Sequence, residues 1–120
     1  MEGGAMVETI LVADHGNGRV SEFMLDGTFV RCMGSIGSGD GQLHNPNDVT
    51  VLAGTGEVAV ADGQNHQIAV FDSEGGFIRS FGGHGSIQDG QFNMPGAIAS
   101  DAHGNLLVID SGTNRLQVLP

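Results

Sequence analysis

Three aspartates fall at positions 14, 62 and 110, a constant spacing of 48, and polar side chains with ligand chemistry follow each of them. Asp14 is followed by His15, Asn17 and Arg19, Asp62 by Gln64, Asn65 and His66, and Asp110 by Asn114 and Arg115. Further on the same pattern come His44, Asn47, Asp48 and His84. Carboxylates repeated around an axis could hold Ca²⁺ if oxygen ligands converged from several units. The histidines His15, His44, His66, His84 and His103 show none of the close pairing that a zinc hydrolase uses. The serines sit among glycines and apolar runs without a nucleophile elbow. The residues therefore point to no catalytic group, no resident metal and no cofactor. The three aspartates are expected to close the same Asx turn in each unit, at a cost on the order of 1 kcal/mol when Asp62 is replaced by Ala.

The elements that must position these residues are short strands. Glu57–Ala61 and Gln67–Phe71 read as two apolar strands about a polar turn, and Glu8–Ala13 is apolar on both faces at Ile10, Leu11, Val12 and Ala13, as strands covered by neighbours on both sides are. The same unit recurs as Glu8–Ala13 with Arg19–Met24, and as Leu106–Ile109 with Arg115–Leu119. Phe29–Met33, Asp48–Leu52, Phe77–Phe81 and Ala97–Ser100 complete ten strands, with Gly, Asn and Asp turns between them. Labelled A to D within a unit, they read BCD, ABCD, ABC. Four antiparallel strands per 48-residue period, with one long connection to the next unit, predict an all-β fold, a partial β-propeller of about two and a half four-stranded blades. The segment 1–120 is expected to be a single propeller segment with units at 8–34, 46–82 and 95–119.

Composition sets limits. The 120 residues include 21 Gly, 14 Asp and Glu, no lysine and only 4 Arg, for a formal charge of −10. That balance opposes a phosphate backbone, so no nucleic-acid partner is expected. Met1–Thr9 holds neither a signal peptide nor a membrane span, so no membrane partner is expected, and with one cysteine a cytoplasmic location is weakly favoured. Cys32, inside an apolar run, is expected to be a small core residue. Arg31 and Arg79 recur between apolar neighbours and read as charges that blunt an outer sheet edge.

Pro95-Gly96-Ala97-Ile98-Ala99, Gly104-Asn105-Leu106-Leu107-Val108-Ile109-Asp110 and Thr113-Asn114-Arg115-Leu116-Gln117-Val118 closely resemble the NHL repeat. Asn65-His66-Gln67-Ile68 stands where the naming Asn-His-Leu triplet would fall, with Gln67 departing from it. The resemblance covers about residues 8–119. It implies a propeller, and it implies functions as different as substrate recognition in tripartite-motif ubiquitin ligases and a peptide-amidating lyase. The alternative is an arc of a propeller enzyme of the lyase or lactonase class; the lyase reading needs Tyr, which this chain lacks, so the catalytic residues would lie on blades outside it.

If strands A to D alternate in direction, the D–A connections and the B–C turns share one rim. That rim carries His15, Asn17, Arg19, His44, Asn47, Asp48, Gln64, Asn65, His66, His84, Asn114 and Arg115. Loops held on a rigid scaffold suit recognition, and the expected function is non-catalytic binding of a protein or peptide there. Residues that differ between units, such as His44 against Met94 and Asp48 against Ala97, are the better candidates. The arc cannot close on itself. Part of Ile10, Val12, Val20 and Phe29 at one end, and of Leu106, Val108, Leu116 and Val118 at the other, must face water. Further blades from a longer chain, or a second copy, are expected to cover them.

Overall fold

The computed structural model describes residues 8–83 and 91–119. The first sheet holds β1 (Thr9–Asp14), β2 (Arg19–Met24) and β3 (Phe29–Met33). The second holds β6 (Pro46–Val51), β7 (Val58–Asp62), β8 (Gln67–Phe71) and β9 (Phe77–Gly82), and the third β10 (Pro95–Ser100), β11 (Leu106–Asp110) and β12 (Arg115–Leu119). Each sheet runs in chain order and pairs antiparallel throughout. Fold class and strand order thus follow the sequence reading.

The long connection from the first sheet to the second contains a short parallel pair beyond the ten expected strands, β4 (Ser35–Ile36) with β5 (Gln42–Leu43). Two-residue strands carry no periodicity, so only tertiary packing could reveal them. The pair runs close against the first B–C turn. A Cβ on Gly18, at φ +61°, would lie 2.7 Å from the Ile36 Cα and 2.8 Å from the Leu43 carbonyl oxygen. At the equivalent turn position, where φ is also positive, the later units carry His66 and Asn114. The first unit has no room for a side chain there.

Two apolar layers join the sheets. Val58, Val60, Ala69 and Phe71 of the second sheet pack on Val20, Met33 and Leu43, with Leu11 at the margin. Ala59, Ala61, Ile68 and Val70, on the opposite face, pack with Phe92 on Ile98, Leu106 and Val108. Every residue of β7 is buried, as the apolar run from Val58 to Ala61 requires, and Asp62 at its end is enclosed with them. Leu43 and Phe92 come from the connections and are fully enclosed, so each linker inserts one large side chain between successive sheets.

Cys32 is exposed, contrary to expectation. It lies opposite Ser21 on the outward face of β3, and its neighbour Met33 takes the buried side of the pleat. The residue 48 positions later is Ser80, also exposed, which marks the slot as polar. Arg31 and Arg79 do lie on edge strands, β3 and β9, and pair with Glu22 at 3.3 Å and Glu57 at 3.4 Å. Arg31 also donates to the Ser73 carbonyl at 3.2 Å, tying the first sheet to a turn of the second.

Candidate functional site

The aspartates end strand B of each unit, β1, β7 and β11, but they do not close an Asx turn. Neither Asp14 nor Asp62 caps the 3₁₀ turn that follows it. Instead, Asp62 Oδ1 accepts the backbone N–H of His44 at 2.7 Å, and Asp110 Oδ1 accepts that of Asn93 at 2.8 Å. Each carboxylate therefore clasps the connection arriving from the preceding sheet. Asn65 at 2.8 Å and Gln67 at 3.0 Å donate to Asp62 Oδ2, and Thr113 donates to Asp110 Oδ2 at 2.8 Å. Among the described residues Asp14 accepts from Asn17 (3.1 and 3.2 Å) and Arg19 (3.1 Å), and its side chain is 31% exposed. Asx turns do occur, at other aspartates. Asp26 accepts Thr28 N–H, Asp72 accepts Glu74 and Gly76, and Asp101 accepts His103 and Asn105.

Asp62 and the turn-closing Asp72 and Asp101 are shifted in opposite directions. Burial pushes the Asp62 carboxyl above its ordinary value, with the bonds from His44, Asn65 and Gln67 offsetting part of the shift. Asp72 is held below its ordinary value by the Gly76 and Glu74 amides, and Asp101 by the Asn105 side chain and amide. As pH rises from the ordinary carboxylate value through the raised one, ionisation of Asp62 works against folding. As pH falls through the depressed values, protonation of Asp72 and Asp101 releases their turns. Carboxyl ¹³C titration should place the Asp62 midpoint above those of Asp72 and Asp101. The reverse order would show that Asp62 is solvated.

The clasps bring D–A connections and B–C turns to one rim. Gln64 N–H donates to the His44 carbonyl (3.0 Å), and Gly112 N–H to the Asn93 carbonyl (2.8 Å). Among the expected rim residues, several are engaged in holding the scaffold. Asn65 also donates to the Gly37 carbonyl at 2.8 Å, and His66 Nδ1 accepts Met94 N–H at 3.0 Å. Asp48 accepts its neighbour Val49 N–H at 2.9 Å and Ile98 N–H of the third sheet at 3.0 Å. Arg115 donates to the Gln91 carbonyl at 3.2 Å and Asn47 to the Pro95 carbonyl at 3.1 Å. His15, Asn17, Arg19, His44, Asn47, Gln64 and Asn114 are exposed, and His84 lies outside the described residues. Among the described residues no three of His, Cys, Asp and Glu come together as a metal set.

An open cavity of about 490 Å³ lies at this rim between the second and third sheets, lined by Asn47, Met94, Gly96, Ser111 and Gly112. Asn47 was expected there; Gly96, Ser111 and Gly112 were not. Asn47 and Gly96 are equivalent, each occupying the register shift that follows Pro46 or Pro95. Gly96 brings no amide to the next connection, and a Cβ on it would strike the Ser111 hydroxyl. Comparison of the units could have found it, since Gly96 replaces Asn47 and Gly112 replaces Gln64. Met94 is equivalent to Asn45, not to His44. Both precede a proline at positive φ, 60° and 56°, and the true counterpart of His44 is Asn93.

Sheets of antiparallel strands, each strapped to its predecessor through one long connection, define a β-propeller architecture. The NHL repeat profile matches residues 43–71 and 92–119, and the chain carries NHL repeats at these two positions. A comparison with curated protein sequences gives no significant match. Among solved structures, the chain is similar to a structural-genomics protein of unknown function from Bacteroides thetaiotaomicron VPI-5482, with 18% identity and a TM-score of 0.75 over 92% of this chain and 32% of that one. It is also similar to an auxiliary nutrient binding protein of the same organism (19%, TM-score 0.64, 93% of this chain and 34% of that one). A third is the hydrazine synthase of Kuenenia stuttgartiensis (13%, TM-score 0.61, 92% and 32%). The chain spans about a third of the length of each.

Proposed function

We propose that this chain is a non-catalytic recognition segment, a single propeller segment whose rim of D–A connections and B–C turns binds an extended peptide or a protein loop. The observation that carries the reading is the 490 Å³ cavity at the second–third sheet junction. Its walls are small or adaptable: two glycines, a serine, an asparagine and Met94, which is 38% exposed. Small residues let a ligand backbone approach closely, and a methionine repacks around different apolar side chains. His44, Gln64 and Asn114 extend the rim with polar contacts, and His15, Asn17, Arg19, Asn65, His66, Asp48 and Arg115 complete or support it. The nutrient-binding description of one structural neighbour agrees with a binding role.

The test is selection of displayed peptides on the immobilised chain, followed by affinity measurement with Met94→Asn. Asparagine tolerates the positive φ that strains methionine, so this variant should unfold at an equal or slightly higher temperature. It should nevertheless bind the selected peptides at least about tenfold more weakly, through the loss of one buried apolar side chain worth roughly 1.5–3 kcal/mol. Peptides that bind Met94→Asn and Ser111→Tyr as tightly as the original chain would place recognition elsewhere.

A further inference from the structure

We infer that the two terminal sheet faces of this chain are the two halves of one contact, and that copies of the chain associate front to back. The inference begins with the second sheet, which is covered on both sides. Its front face presents Val58, Val60, Ala69 and Phe71, with exposures from 0% to 3%, and packs on the back of the first sheet. Its back face presents Ala59, Ala61, Ile68 and Val70, none more than 0% exposed, and receives the front of the third sheet.

The first sheet has the same front. Ile10 pairs with Phe23 and Val12 with Ser21, as Val58 pairs with Phe71 and Val60 with Ala69. Phe23 meets Phe29 edge-on at 5.9 Å, as Phe71 meets Phe77 at 5.8 Å. Here, however, Ile10 is 47%, Val12 44% and Phe29 57% exposed. The third sheet has the same back. Ile109 pairs with Leu116 and Leu107 with Val118, as Ala61 pairs with Ile68 and Ala59 with Val70. Ile109 is 45%, Leu116 56% and Val118 58% exposed. Val20, Leu106 and Val108, the other members of the expected end sets, are buried inside the arc.

One open front and one open back therefore occur on a single molecule, and the occupant that fits each is already seen twice inside it. The occupant of the front face is the back face of a second copy. Such a contact is heterologous, so it ends in a closed ring or continues as an open assembly. Copies that each carry a charge of −10 repel one another, and screening that repulsion should favour the apolar contact.

The experiment is sedimentation of the full chain over a range of concentration and salt, with two surface variants. Ile10→Asp with Val12→Asp blocks the front, and Leu116→Asp with Val118→Asp blocks the back. The unmodified chain should sediment at two or more times the monomer mass, more completely at higher salt. Each variant alone should be monomeric, and an equimolar mixture of the two should form a 1:1 complex through the remaining intact front and back. A monomeric unmodified chain at every concentration would overturn the inference. Self-association that persists in either variant alone, or variants that fail to combine, would also overturn it. Amide spectra of each variant separate blocked association from misfolding. Should either double variant lose its native spectrum, Val12→Thr and Val118→Thr, which keep strand-forming shape, replace them under the same criteria.

Discussion

Replacing Asp62 with alanine is expected to lower the unfolding free energy by about 3 kcal/mol, whereas the same change at Asp14 should stay within about 0.5 kcal/mol. Asp62 is fully enclosed and takes three donors, one of them the His44 amide of the arriving connection. Removing it leaves those donors facing a void, at roughly 1–3 kcal/mol for each one that water cannot reach. The burial penalty on the carboxylate is relieved at the same time, so the net loss falls well below the sum of the donors. Asp62→Asn should be intermediate. Its carbonyl oxygen still accepts from His44, but its amide then points at the Asn65 and Gln67 donors. Among the described residues no backbone amide donates to Asp14, and its exposed partners Asn17 and Arg19 can be replaced by water. Urea midpoints measured side by side check this, and equal shifts at Asp14 and Asp62 would remove the clasp from the account of stability.

Phe92→Ala should cost about 3–5 kcal/mol, the range for emptying an enclosed aromatic site. Phe92 is 0% exposed and packs among Ala61, Ile68, Ile98 and Val108, although it belongs to a linker. Because successive sheets contact only their neighbours, the damage should be local. The third sheet should lose amide protection before the first and second do, and the single transition should broaden. Leu43→Ala, at roughly 2–5 kcal/mol, should have the corresponding effect between the first and second sheets. A variant that unfolds in one sharp transition at the original midpoint would show that the linker side chain only fills space.

The strands were legible because each is a short apolar run between glycine and asparagine turns, repeated at a fixed period. Arg19–Met24, Phe29–Met33, Gln67–Phe71 and Arg115–Leu119 fall where the sequence places them, and the others shift by one or two residues. The period also located the aspartates, but not their partners. An aspartate before a glycine-rich turn reads as an Asx residue, and nothing local shows that its carboxylate faces a backbone amide 18 residues upstream at His44. Leu43 and Phe92 were hidden for the same reason. They sit alone among polar residues, and only the packing of two sheets makes them core. The cavity was half legible. Its asparagine stands out on a rim, whereas Gly96 and Gly112 act by the side chains they lack.

The clasp sets the length of chain that can be copied or removed without loss. Asp62 and Asp110 each hold the linker arriving from the sheet before, so neighbouring units are interlocked in the manner of overlapping tiles. A tandem duplication of 48 residues, begun in any loop, carries one carboxylate and one linker amide together and leaves every clasp matched. An insertion between strands of one sheet, such as the Asp26-Gly27 turn, leaves all clasps untouched as well. A cut at the very edge of a sheet, between His44 and Pro46, strands the Asp62 carboxylate from its amide, whereas a cut at the start of the linker leaves the two together. The unit on which gene duplication can act is therefore offset from the sheet that the eye picks out, and it begins at a linker.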